Sequence, residues 1–281
     1  AILAVIGMCF GIWMGTNGRG VFYYHPKFTK FTPLRIQASN APRTDFISIF
    51  NFLRVDGLLW MATEFGFASY DLKSKKYTYY PSGCLEYTLA RDARGQIWAG
   101  GFGQGLVKYN PDKDQFEQIV VPIGDKDVIQ ITPIDLDHIW IHTWSNGIFE
   151  MDLNTYKVRK LTIAKNTLIR SRTSYQDRMH NIWIGSDEGI YRIQGSSIKK
   201  FSGLSNKRVF GITQDPAGNI WVGTAKGLNR IDNKTDRISS YTKSSGLPND
   251  FIYGVLSDQK GNIWCSTNYA LSQFDPLPKH F

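Results

Sequence analysis

The 281 residues carry 33 Lys and Arg against 24 Asp and Glu, and the resulting charge of +9 is scattered in short runs instead of forming one basic face interleaved with base-stacking aromatics, which excludes nucleic acid as a partner. Three cysteines, an odd number, exclude a complete internal disulfide framework. No Pro/Ser-rich linker, block of like charge or low-complexity stretch breaks the chain, so 1–281 reads as a single domain.

In chain order, the opening AILAVIGMCFGIWMG is apolar but too short to span a bilayer and has no Lys or Arg before it. It predicts two strands, the second carrying Trp13. Further tryptophans follow at Trp60, Trp98, Trp140, Trp183, Trp221 and Trp264, spaced 38 to 47 residues apart, each preceded by Ile or Leu. Around each lies the same phrase. An apolar run such as RVFGITQ predicts a first strand. A turn comes next, with Asp six before the Trp (Asp92, Asp177, Asp215, Asp258) and often Gly three before it (Gly57, Gly95, Gly218, Gly261). Gly there permits a positive φ, and the Asp can bond the turn backbone. The Trp strand ends in a second turn that closes on Gly20, Gly66, Gly105, Gly147, Gly189 or Gly227. A third strand resembling GLNRID and a polar fourth such as DRISSYT complete the unit. The chain begins inside a strand and ends soon after the third strand of its last unit, so a stretch of a longer protein is expected.

Seven units of 40-odd residues, each with four short antiparallel strands, predict an all-β, seven-bladed β-propeller. One blade alone would expose two apolar faces and two edges, and stacking blades buries the faces. The Trp is expected to be the packing element between neighbours, its N–H needing one acceptor. The basic runs LKSKKY, KVRK and SSIKKF fall on outer strands, where Lys protects an edge.

Catalytic patterns are sparse. His25, His138, His142, His180 and His280 show no metal-ligand spacing, and neither a nucleophile elbow nor a phosphate-binding loop is present. No enzyme, metal or cofactor is therefore expected. Cys265, beside Trp264, reads as a buried small apolar residue, and His142 as a packing or rim residue. Recognition is expected on the loops that enter the first strands and on the turns between second and third strands, which open on one face of a rigid scaffold. Trp144, the one tryptophan outside the packing position, sits in such a turn, with Phe65, Phe102 and Tyr269 in equivalent ones. Sugars stack their C–H faces on exposed rings. Polar partners would be Arg19, Glu64, Gln104, Asn146, Asp187, Lys226 and Asn268, with Arg43, Asp45, Glu86, Arg208 and Asp250 from the entering loops.

The phrase DPAGNIWVGTAKGLNRID resembles the two-component regulator propeller repeat, strongly in units five to seven and less in two and four. Ala270, His142 and Ala62 depart from it, each standing where that repeat has Gly. The resemblance implies the extracytoplasmic, periplasmic sensor region of an inner-membrane hybrid two-component protein. It further implies an oligosaccharide ligand, neighbouring propeller and sandwich domains in the same chain, a homodimer, and a relay to a histidine kinase. The D-x-x-G-x-I-W segment is shared with streptogramin lyases, whose catalytic His and Glu are placed differently. Two other readings stay open: a lyase or lactonase with its site at the channel mouth, and a structural platform whose ligand binds elsewhere. An acidic glycan is compatible with the charge.

Overall fold

In a computed structural model, residues 2–8, 11–25, 28–34, 47–163, 169–258, 260–268 and 271–274 are described. They form a seven-bladed β-propeller, every sheet antiparallel and in chain order. First strands are β1 (Ile2–Met8), β5 (Ile49–Val55), β9 (Glu86–Arg91), β13 (Val128–Pro133), β17 (Ser171–Gln176), β21 (Val209–Gln214) and β25 (Ile252–Ser257). The Trp strands are β2 (Gly11–Thr16), β6 (Leu58–Thr63), β10 (Ile97–Gly101), β14 (His138–Thr143), β18 (Ile182–Ser186), β22 (Ile220–Thr224) and β26 (Ile263–Thr267). Third strands are β3 (Val21–His25), β7 (Gly66–Asp71), β11 (Gly105–Asn110), β15 (Gly147–Asp152), β19 (Gly189–Gln194), β23 (Gly227–Ile231) and β27 (Leu271–Phe274). Fourth strands are β4 (Phe28–Leu34), β8 (Tyr77–Pro81), β12 (Gln115–Ile119), β16 (Val158–Lys160), β20 (Ser197–Phe201) and β24 (Ile238–Tyr241). The apolar opening thus supplies β1 and β2.

The chain divides into two compact units, 15–171 and 1–14 with 172–281. Within the first, Trp60 packs against Leu89, Ile97 and Val107 of the next blade, and Trp98 against Ile131, Ile139 and Met151 of the one after. Within the second, Trp183 meets Val209, Ile212 and Ile220, and Trp221 meets Ile252, Ile263 and Cys265. Tryptophan is therefore the element that joins blades. The turn Asp has a second role that sequence reasoning missed. Asp215 Oδ1 accepts from the Asn219 N–H at 2.8 Å, while Oδ2 accepts from Trp221 Nε1 at 2.8 Å. Asp92, Asp177 and Asp258 hold Trp98, Trp183 and Trp264 in the same way, at 2.7, 2.8 and 3.1 Å. One carboxylate shapes the turn and satisfies a buried indole donor.

At the other end of the Trp strand a hydroxyl closes the second turn. Thr16, Thr63, Thr143, Ser186 and Thr224 donate to the carbonyls of Gly20, Gly66, Gly147, Gly189 and Gly227 at 2.7–2.9 Å. Blade three has Gly101 at this position. A Cβ there would collide with the Leu85 carbonyl and lie 2.6 Å from Glu86 Oε2, so glycine makes room for a buried carboxyl. The basic outer strands are exposed along β16 and β20, as their Lys content implies.

Candidate ligand-binding face

A β-bulge recurs at the start of the first strands. Pairing of β5 with β6 runs from Ile49↔Thr63 to Asn51↔Ala62 and skips Phe50. Tyr87, Ile129, Phe210 and Tyr253 are skipped in β9, β13, β21 and β25. A bulge turns one extra side chain out of the alternation that otherwise buries it. Four of these five residues are aromatic, and all sit where the entering loops and the second turns meet.

In residues 15–171 they build a ladder. Phe50 stacks on Tyr87 at 5.5 Å, Tyr87 meets Phe102 edge-on at 5.9 Å, and Phe102 meets Trp144 at 5.6 Å. Three blades contribute. Trp144 is 42 % exposed, as expected of a turn tip, but its ring also packs on Phe102 of the neighbouring blade. The two tips share one brace, the loop 125–127. Asp127 accepts from the Gly103 N–H at 2.9 Å and its carbonyl from the Trp144 N–H at 2.9 Å. Asp125 accepts from the Ser145 N–H and hydroxyl at 2.8 and 2.7 Å. Burial alone would raise the Asp125 carboxyl, but hydrogen bonds from the Asp127 N–H, from Ser145 and from the Lys126 N–H outweigh it and hold the group below its usual range.

Beneath the ladder lies Glu86, counted among the entering-loop partners from sequence. It is the first residue of β9 and wholly buried, so it presents nothing to a ligand from a loop. Burial raises its carboxyl to about 7, with a hydrogen bond from Ser82 opposing. The Gln104 side-chain amide faces this carboxyl, so Gln104 also points inward.

Residues 172–281 combine the same repeat positions differently. Arg172 forks onto Asp187 at 2.6 and 3.2 Å, and Arg208 approaches the same carboxylate at 3.6 Å. The Arg172 guanidinium lies 5.4 Å from the Phe210 ring, which packs on Phe251 at 4.9 Å. Tyr253 joins them, 4.7 Å from Phe251, and its hydroxyl donates to Asn268 at 2.9 Å. Asp187, Arg208 and Asn268 are thus brought into one cluster.

The remaining sequence candidates scatter. Asn146 is a structural turn residue: its amide donates to the Ile123 carbonyl at 2.6 Å and its oxygen accepts from Lys160 at 2.8 Å. Asp250 caps the short turn at Lys243. Phe65 is 47 % exposed but makes no ring contact among the described residues. Arg19 and Lys226 are exposed and Glu64 half-buried, none in either cluster. Arg43, Asp45 and Tyr269 lie outside the described residues. Sequence reading missed Phe50, Tyr87, Phe210, Phe251 and Tyr253. The signal was there: in IFNF, EYTL, VFGI and IYGV an aromatic interrupts the alternation at the strand's second residue.

His142 is a packing residue. It is fully buried, its ring nitrogens 3.1 Å from the Thr132 hydroxyl and 2.8 Å from the Ser171 hydroxyl, and burial lowers its pKa to about 3. Cys265 is buried and its thiol pushed up to about 12. Among the described residues Cys84 and Cys265 are free thiols, no group of three or more His, Cys, Asp or Glu could hold a metal, and no helix is long and apolar enough to cross a membrane.

Among solved structures the chain is similar to one described as the extracellular domain of a hybrid two-component system from B. thetaiotaomicron. Identity is 17 % and TM-score 0.80, over 95 % of this chain and 38 % of that one. Virginiamycin B lyase from Staphylococcus aureus is similar at 15 % identity and TM-score 0.77, over 95 % and 91 %. PorZ, a surface component of the type-IX secretion system of Porphyromonas gingivalis, follows at 16 % identity and TM-score 0.72, over 96 % and 46 %. At these identities the likeness is one of fold. The chain spans well under half the length of the first of these relatives. No curated protein matches. The family model described as "Two component regulator propeller" matches residues 203–226 and 246–269, one segment in each of the last two blades of this seven-bladed propeller.

Proposed function

We propose that this propeller is the non-catalytic, ligand-sensing part of a two-component sensor, lying outside the cytoplasm, and that its ligand is an oligosaccharide released from a polysaccharide. The observation that carries the reading is the ladder Phe50–Tyr87–Phe102–Trp144, with ring centroids 5.5 to 5.9 Å apart and its outermost ring exposed. The exposed Trp144 ring, backed by the half-buried rings behind it, offers an apolar face to a sugar unit. The ladder's two turn tips are fixed by one loop, so little order would be lost on binding. The repeat match and the likeness to an extracellular domain support the sensor reading. In a sensor, binding acts by favouring one of two arrangements of this propeller with its partners, here neighbouring propeller and sandwich domains and a second copy of the chain, and the shift reaches a histidine kinase. The lyase reading is supported by fold likeness alone.

Calorimetric titration against an oligosaccharide panel tests the proposal. One member should bind, and Trp144→Ala should weaken it by about 1–3 kcal/mol, as for aromatic stacking on a planar ligand. Unchanged affinity with a lowered melting temperature would reduce Trp144 to a residue that packs on Phe102.

A further inference from the structure

At the opposite end of the strands in residues 15–171 lies a second concavity, about 610 Å³, lined by Trp60, Trp98, Lys108, Tyr109, Leu58 and Tyr156 among others. Two of these residues lack a partner that their counterparts elsewhere in the chain possess. The first is Trp60. It is 1 % exposed, and its Nε1–H has no acceptor among the described residues. In four other blades the turn Asp accepts that bond, and in blade four Glu150 replaces it at 3.0 Å. Blade two has instead a two-residue hairpin, Asp56–Gly57, both at positive φ, which carries no such carboxylate to the indole. The rings of Tyr80, Tyr109 and Phe116 surround Trp60, and an aromatic face is a weak substitute for a carboxylate. A buried donor left unpaired costs about 1–3 kcal/mol.

The second is Lys108, which pairs across the sheet with Trp98. The corresponding cation beside Trp183 is Arg192, which forks onto Asp236 at 2.9 and 3.1 Å. In blade four the position of Asp236 is held by Tyr156, at the same positive φ, 57° against 56°. Lys108 therefore meets a phenol hydroxyl, at 3.2 Å, where a carboxylate would stand. The other charges on the cavity wall are spent. Asp92 holds Trp98, Arg94 holds Asp137 at 2.5 Å and Asn154 at 2.7 Å, and Asp56 pairs with Arg91 at 3.4 Å.

We propose that this cavity binds a small organic acid with an apolar or aromatic frame, its carboxylate on Lys108 and its frame beside the Trp60 ring. Trp98, Tyr109 and Leu58 line the frame. The volume is in the range of ligand sites, and a carboxylate offers Lys108 an ion pair that the neutral phenol does not supply. This site does not depend on the saccharide reading.

The test follows the tryptophan indole ¹H–¹⁵N resonances while benzoate, phenylacetate and 3-(4-hydroxyphenyl)propionate are titrated in turn, with phenylacetamide as the neutral control. Trp60→Phe assigns the Trp60 signal; should that variant not fold, its displacement in Tyr109→Phe does so. The Trp60 resonance should move saturably with at least one acid and stay still with the amide. Lys108→Met, and Tyr156→Asp, which restores the chain's own carboxylate, should each weaken binding by about tenfold or more while the other indole signals keep their positions. The proposal is overturned if no acid moves the Trp60 signal up to about 10 mM, if the amide binds as well, or if both variants bind as the parent does.

Discussion

Glu86 and His142 are both fully buried ionisable groups in the same unit, and their effects on stability have opposite signs. The Glu86 carboxyl is raised to about 7 by burial, so the fold favours its protonated form. Its contribution is complete below the ordinary carboxyl range and is lost as pH rises through about 7. A shift of that size corresponds to about 3 kcal/mol. His142 is lowered to about 3, so the fold favours neutral imidazole, and stability is lost as pH falls below its ordinary range. Between those ranges the two oppose each other. Glu86→Gln removes one side, and denaturant melts should show the variant gaining on the parent by about 3 kcal/mol from pH 4.5 to 7.5. Parallel curves would mean that Glu86 is ionised in the fold. His180 is a smaller case. It stands at φ 61° where four other blades have glycine, and it is exposed. His180→Gly should therefore raise stability by about 0.5–1 kcal/mol in the same melts, strain relief exceeding the added chain entropy.

At the scale of the blade, the Asp–Trp pair is the unit that makes the repeat hold. Trp221 is wholly buried between its own blade and the next, so Trp221→Ala should cost about 3–5 kcal/mol. Asp215→Ala removes no apolar group, yet it leaves an indole and a turn without their acceptor, and should cost about 2–4 kcal/mol by denaturant titration. A loss near zero for Asp215 would mean that neither the turn nor the indole depends on its carboxylate. Most of this was legible in the sequence, because the Trp spacing, the turn Gly and the strand alternation are local signals. The Asp to Trp bond was not read, although both residues were noted, because it joins two ends of a hairpin by a side-chain geometry that spacing alone does not display. The ladder was half legible. Phe102 and Trp144 are turn tips and stood out as such, whereas Phe50 and Tyr87 looked like core because a bulge, not the residue type, decides which way they face. Glu86 was misplaced for a related reason: a charged residue beside a turn reads as loop, and only Gly101, across the sheet, reveals the space kept for it.

For the molecule as a whole, the repeat sets the scaffold and leaves the turns free to differ, so recognition rests on departures from the repeat. The ladder, the arginine cluster around Asp187 and the cavity beside Trp60 are three such departures, of different chemistry. The loop 125–127 ties the ladder's tips to the scaffold, which separates contact from positioning. Asp127→Ala touches no ring but frees the Phe102 turn, and calorimetry should show about a tenfold loss of saccharide affinity with the ring faces intact. Hydrogen exchange with the bound saccharide tests the central claim most directly. The account predicts slowed exchange at residues 49–51, 85–88, 101–105, 125–128 and 143–146, the segments that carry or brace the ladder. Slowing confined to residues 92–98, 108–111 and 153–157, around the cavity at the other end of the strands, would contradict it.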